Sequence, residues 1–169
     1  MTTRAEALAT LERGHDETSA VLERLPTEHM ATTGIGGGRW SPKDLLGHLS
    51  LWHEIALRTV DELRRGERPW IVGVFAEPGP GPNDAELAAR AGWSLDRARE
   101  AYDGSYADVV ATLRALGDDE WDLPVDGWTE DPAAIGGLLG VVLGKDGLPF
   151  GHAFAYLPEL AAFVAEHIT

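Results

Sequence analysis

Apolar residues recur at spacings of three and four over four long stretches of this chain, and no stretch alternates as a strand would. The first predicted helix runs from about Arg4 to Leu25, with Leu8, Leu11, His15, Thr18, Leu22 and Leu25 on one face. Thr3 and Glu6 have the spacing of a capping box, and Pro26 ends the helix. The second follows Ser41-Pro42-Lys43-Asp44, an N-cap, a proline at the first helical position and an acid suited to the helix dipole. It reaches about Arg65, stops at Gly66, and turns Leu45, His48, Leu49, Trp52, Ile55, Ala56 and Thr59 inward; His53 falls outside that stripe. The third is capped by Ser94 and runs to about Leu116, with Leu95, Ala98, Tyr102, Ser105, Val109, Thr112, Leu113 and Leu116 on its inner side. The fourth spans about Phe150 to His167, with Ala153, Tyr156, Leu160 and Phe163 in a stripe and His152 beside it. Pro158 either kinks this helix or marks its true start.

Two long connections separate these helices. Residues 67–82 are rich in proline and glycine and read as loop. Asn83 or Asp84 then caps a short helix to about Ala91, closed by Gly92. Residues 118–150 hold Trp121, Trp128 and the glycine-broken apolar run Ile135 to Gly144, readable as a short helix or a strand-like lid. The pattern predicts an all-α protein, a four-helix bundle with long connecting loops, in a single domain over residues 1–169.

Composition narrows the function. The 169 residues are 44% hydrophobic and 25% charged, an ordinary globular balance. With no cysteine, thiolate metal sites and a cysteine nucleophile are excluded. Lys+Arg number 14 and Asp+Glu 28, for a net charge of −14, which repels phosphate backbones and anionic lipid. Arg58, Arg64, Arg65 and Arg68 alternate with Glu54, Asp61, Glu62 and Glu67, and read as an ion-paired helix face. No signal peptide or membrane span is visible, so a cytoplasmic protein, monomeric or homodimeric, is expected.

The inward face is not purely apolar. His15, His48, Trp52, Tyr102, His152 and Tyr156 fall on or near it, from separate helices. Bundle sites are built by side chains converging in this way, and a buried imidazole needs partners. One reading takes His48 and His152 as metal ligands, with Tyr156 or His15 as a third. Another needs no metal: His48, with Tyr156 or Tyr102, serves acid–base chemistry, and the ordinary alternative is a hydrogen-bonded packing cluster. His29 and His167 are expected to be solvated. Of six tryptophans, Trp52, Trp70 and Trp128 can line an apolar ligand pocket, or else plug the ends of the bundle. No phosphate loop, dinucleotide fingerprint, nucleophile elbow or His-Glu-x-x-His is present.

The segment from Arg39 to Glu54, with Trp40 and His48 eight residues apart, resembles the second-helix signature of the DinB-like superfamily. The run Gly151-His152-Ala-Phe-Ala-Tyr156-Leu-Pro158 resembles the fourth helix of its DfsB branch, which includes colibactin self-protection proteins; Tyr156 stands where that branch often has a second histidine. The resemblance implies a DinB-like bundle and two classes of activity. One is metal-free hydrolysis or sequestration of a reactive natural product. The other is a thiol transferase or isomerase using a divalent metal such as Zn or Ni and a low-molecular-weight thiol. The first expectation is a self-protection protein that opens a strained ring with water, without cofactor. His48, His152 and Tyr156 would be catalytic, and His15, Trp52, Trp70, Tyr102 and Trp128 would hold the small-molecule ligand.

Overall fold

The computed structural model describes residues 2–77, 88–128, 134–145 and 147–168. Helix α1 (Arg4–Leu22) opens with the expected box: the Thr3 hydroxyl accepts the Glu6 N–H at 3.2 Å, and the Glu6 carboxylate accepts the Thr3 N–H at 2.8 Å. It ends three residues earlier than its stripe suggests. Pro26 disfavours a helical residue before it, so Leu25 closes a tighter turn onto the Leu22 carbonyl while staying buried. Helix α2 (Pro42–Arg64) starts on a second reciprocal box, Ser41 with Asp44. Helix α4 (Leu95–Ala115) is capped by the Ser94 hydroxyl. Residues 88–90 are helical; the expected cap at Asn83 or Asp84 lies outside the described residues.

The connections hold more helix than the pattern predicts. Helix α3 (Trp70–Ala76) begins where the Trp70 N–H donates to Glu62 at 2.8 Å. Helix α5 (Asp118–Trp121) and helix α6 (Ile135–Val142) follow α4, which resolves the glycine-broken run as helix. Its glycines are there for contact: a Cβ on Gly136 would stand inside the Trp121 indole. The last helix, α7, covers Leu157–His167 only. His152–Ala155 winds as a 3-10 turn instead, because Pro158 cannot donate to the carbonyl four residues back and belongs in a helix's first turn.

Helices α1, α2, α4 and α7 form the bundle, with α2 and α4 packed along each other most extensively and α1 lying against α4 and α7. The fold is all-α; among the described residues there are isolated bridges but no strand, and no helix long and apolar enough to cross a membrane. The arginine face of α2 pairs as its spacing suggests, Arg58 with Glu62 and Arg65 with Asp61 and Glu67. Two apolar clusters fill the interior. One gathers Leu51, Ile55, Val109, Leu113, Leu138 and Phe150; the other gathers Leu45, Leu49, Tyr102, Tyr156, Leu160 and Phe163. Along α2 the clusters change over between Leu49 and Leu51, and the buried histidines sit at this seam.

Gly136→Ala should force α6 off Trp121 and cost about 1–3 kcal/mol by overpacking. At this chain length that corresponds to a fall in Tm of roughly 2–4 °C per kcal/mol, readable by thermal denaturation.

Candidate functional site

His48 lies in the second turn of α2 and is 1% exposed. Its Nε2 is 3.1 Å from His152 Nε2 and 3.1 Å from the Tyr156 hydroxyl. Lys145, in the segment between α6 and the 3-10 turn, donates to the same hydroxyl at 3.4 Å, with its Nζ 4.8 Å from the Tyr156 ring centre. Trp40 folds back over the group, 4.7 Å from the His48 ring and 5.7 Å from Tyr156. The loop that carries Trp40 is tied down by Gly36 and Gly37, whose N–H groups donate to Glu159 of α7. His152 is placed by a strained turn. Phe150 has a φ of 61°, its N–H bonds the Gly140 carbonyl, and its ring stacks on Trp121 at 5.8 Å.

Both imidazoles are held neutral. Burial first, then the cations Lys145 and Arg90, bring His48 down to about 4. Burial, then His48, keeps His152 well below the ordinary histidine range. An ammonium only donates, so the Tyr156 oxygen accepts from Lys145. Between His48 Nε2 and His152 Nε2 one ring donates and the other accepts. Both Nδ1 atoms are buried without a partner among the described residues.

The donor set does not fit a bound divalent metal. Two imidazole nitrogens and a phenol converge, but the Lys145 ammonium stands on the phenol. Ligating histidines normally give their other N–H to an acceptor, and neither Nδ1 has one here. His15 is not a third ligand. Its Nε2 bonds Asp103 at 3.1 Å, and its ring stacks on Tyr106 at 3.9 Å and Tyr102 at 5.0 Å. Among the described residues no three His, Cys, Asp or Glu side chains are arranged to hold an ion.

Other expected residues are distributed differently. Trp52 lies 5.7 Å from His152 and stacks on Phe75 at 6.4 Å, and Phe75 lies 5.9 Å from the buried Trp128. These three rings make one aromatic wall beside His152. Trp70 is exposed and lies under the Arg58 guanidinium, apart from that wall, because α3 turns its first residue outward. Tyr102 is buried in the α1–α4 interface, where burial raises its hydroxyl pKa and Thr18 bonds it. His53 is a correction: it is buried, with Nδ1 3.0 Å from Ser105 of α4. The buried surface of α2 is wider than the periodic stripe, because α4 covers His53 through Ser105 and Arg90 covers Ser50. His29 and His167 are half-buried and tilted against each other at 4.7 Å, not free in solvent. Lys145 was not singled out from the sequence, though one signal marks it as the only Lys or Arg after Arg114.

Two outcomes follow from this geometry. Protein purified without a tag or chelator should carry only substoichiometric Zn or Ni by elemental analysis, and added metal should not raise its Tm. Stability should fall as pH drops from about 6.5 toward 4, because unfolded His48 binds a proton at ordinary pH while the folded form, at about 4, does not. His53, brought by burial to about 3, and His152 add losses of the same sign. Each contributes about 1.4 kcal/mol per pH unit within its window, measurable by urea denaturation across pH.

The sequence profile described as the DinB superfamily matches residues 10–147, which include His48 and Lys145 and stop short of His152 and Tyr156. A crystal structure of an uncharacterised protein from Escherichia coli UTI89 has a similar fold, with a TM-score of 0.70 at 14% identity, covering 98% of this chain and 95% of that one. No curated protein matches the chain in sequence. The matched profile spans most of the chain, and the fold agrees with it: the chain belongs to the DinB superfamily.

Proposed function

We propose that this chain is a self-protection protein that captures a hydrophobic, electrophilic small molecule and opens its strained ring with water, without a metal. The observation that carries this reading is the hydrogen-bonded row Lys145–Tyr156–His48–His152, in which a base lone pair and donors to developing negative charge lie within one bond of each other. His48 Nε2 is the base: it takes a proton from water as the new carbon–oxygen bond forms. The ring bond breaks, and its electron pair moves to an atom that Tyr156 and Lys145 stabilise by donation. His152 positions His48 through the shared hydrogen bond. The charges acting on His48 are both cationic, from Lys145 and Arg90, which suits a reaction that generates an anion in a protein of net charge −14.

Volume supports a place for the ligand outside the helix core. The cavity bordered by His152 between the helices is about 20 Å³, enough for water and not for an organic ring. The open groove lined by Gly140, Val141, Lys145 and Leu148 is about 280 Å³, near the lower end for small-molecule sites. A ligand there meets Lys145 first. The Trp52–Phe75–Trp128 wall offers apolar contact beside His152. The same wall also supports simple sequestration of a planar molecule.

The test is incubation with a panel of strained-ring electrophiles, with mass spectrometry of the recovered compound. Gain of one water supports hydrolysis, and unchanged compound that raises the Tm supports sequestration. For a hydrolysed compound, His48→Ala should abolish turnover while leaving Kd close to wild type. Tyr156→Phe should lower kcat by about 10²–10³, the cost of one donor to developing charge. Wild-type kcat in His48→Ala would remove His48 from the mechanism.

A further inference from the structure

Lysine is nearly absent from this chain. Twelve of the fourteen basic residues are arginine, and lysine stands only at positions 43 and 145. The two amines have different surroundings. Lys43, at the start of α2, is paired with the Asp44 carboxylate at 3.0 Å and donates to the Ala91 carbonyl at 3.1 Å. Lys145 has no carboxylate partner among the described residues; its Nζ meets the Tyr156 hydroxyl at 3.4 Å and lies 4.8 Å from the centre of that ring. A separation of 3.4 Å is longer than a usual N–H···O bond, so this amine is loosely held. Lys145 also lines the open 280 Å³ groove, beside the exposed side chains of Val141 and Leu148. An arginine would supply the same charge, as arginine does almost everywhere else in the chain, but a guanidinium never gives up its proton. A lysine amine does, and then carries a nucleophilic lone pair.

We propose that Lys145 is a covalent capture site, whose amine condenses with an aldehyde or reactive ketone bearing a small apolar body and holds it in the groove as an imine. The step balances without a co-reactant. The ammonium first releases one proton to solvent. The nitrogen lone pair then bonds to the carbonyl carbon, and a proton passes from nitrogen to the carbonyl oxygen, with the Tyr156 hydroxyl as the adjacent relay. The released proton returns to that oxygen, the carbon–oxygen bond breaks, water leaves, and the nitrogen lone pair closes the C=N bond. One ammonium and one carbonyl thus give one iminium and one water, with the charge unchanged. The iminium keeps the place of the ammonium beside the Tyr156 ring, where a cation is favoured, and Val141 and Leu148 offer contact to the apolar body. This activity is separate from ring opening by water and does not rest on it.

The test is incubation of the full chain with butanal or benzaldehyde and sodium cyanoborohydride at neutral pH, followed by peptide mapping with mass spectrometry. Lys145 should be alkylated about tenfold or more faster than Lys43 and than N-acetyl-lysine in the same mixture. Lys145→Arg, which keeps the charge, should lose this adduct and leave labelling of Lys43 unchanged. Tyr156→Phe keeps the ring and removes the relay, and should slow labelling of Lys145 by about tenfold or more without changing Lys43. Labelling of Lys145 no faster than N-acetyl-lysine, or slower than Lys43, would overturn the proposal, and wild-type labelling in Tyr156→Phe would refute the relay. Should that variant fail to fold, the wild-type rates decide alone. The readout is mass retained on the protein, whereas hydrolysis is read as water gained by the released compound, so either can fail without the other.

Discussion

The contact between His48 Nε2 and His152 Nε2 is the constraint around which this bundle is arranged. Two imidazoles taken out of water must be neutral and bonded to something, or their burial costs more than the packing around them returns. They have each other and the Tyr156 hydroxyl; His48 comes from α2, and His152 and Tyr156 from a 3-10 turn and a helix cap more than a hundred residues later. The neighbouring elements hold that meeting in place. Trp40 covers it from the loop before α2, and the Phe150 turn swings His152 inward. Pro158 ends the tight turn so that Tyr156 stands one step before α7.

Charge distribution follows the same logic. Most of the described acidic side chains lie on outer faces, where they are solvated or paired. Beside the histidines the fixed charges are cationic. Arg90 is buried against α2, bonded to the Gly47 carbonyl, the Ser50 hydroxyl and the Glu54 carboxylate, while Lys145 comes from the opposite side onto Tyr156. Burial keeps both imidazoles unprotonated near neutral pH, reinforced by Lys145 at each and by Arg90 at His48. A metal site would need the opposite arrangement, with anionic or carbonyl groups behind the ligands.

Family membership and the site overlap only in part along the chain. The superfamily profile runs from residue 10, within α1, to residue 147, just beyond α6, and includes the Trp40–His48 pair. His152 and Tyr156 lie beyond it. A strained turn and a proline bring His152 and Tyr156 back onto His48 of the bundle.

Local chemistry was readable directly. The caps at Thr3, Ser41 and Ser94, the three long helices they open, and the inward direction of His48 all follow from interactions within a few residues, so their order along the chain suffices. The convergence of His48, His152 and Tyr156 was legible as a possibility, because periodicity says which way each faces. What it could not say is which flank of α2 the neighbouring helix covers. His53 was therefore placed outside, though α4 buries it against Ser105. Nor could it separate Trp70, turned out under Arg58, from Trp128, turned in. Lys145 gains its role only from a partner 11 residues away across a turn. The sequence alone determined the helices, their caps and the supply of imidazoles. Only the tertiary structure decided which nitrogens meet, because that depends on packing between elements whose separation no local pattern encodes.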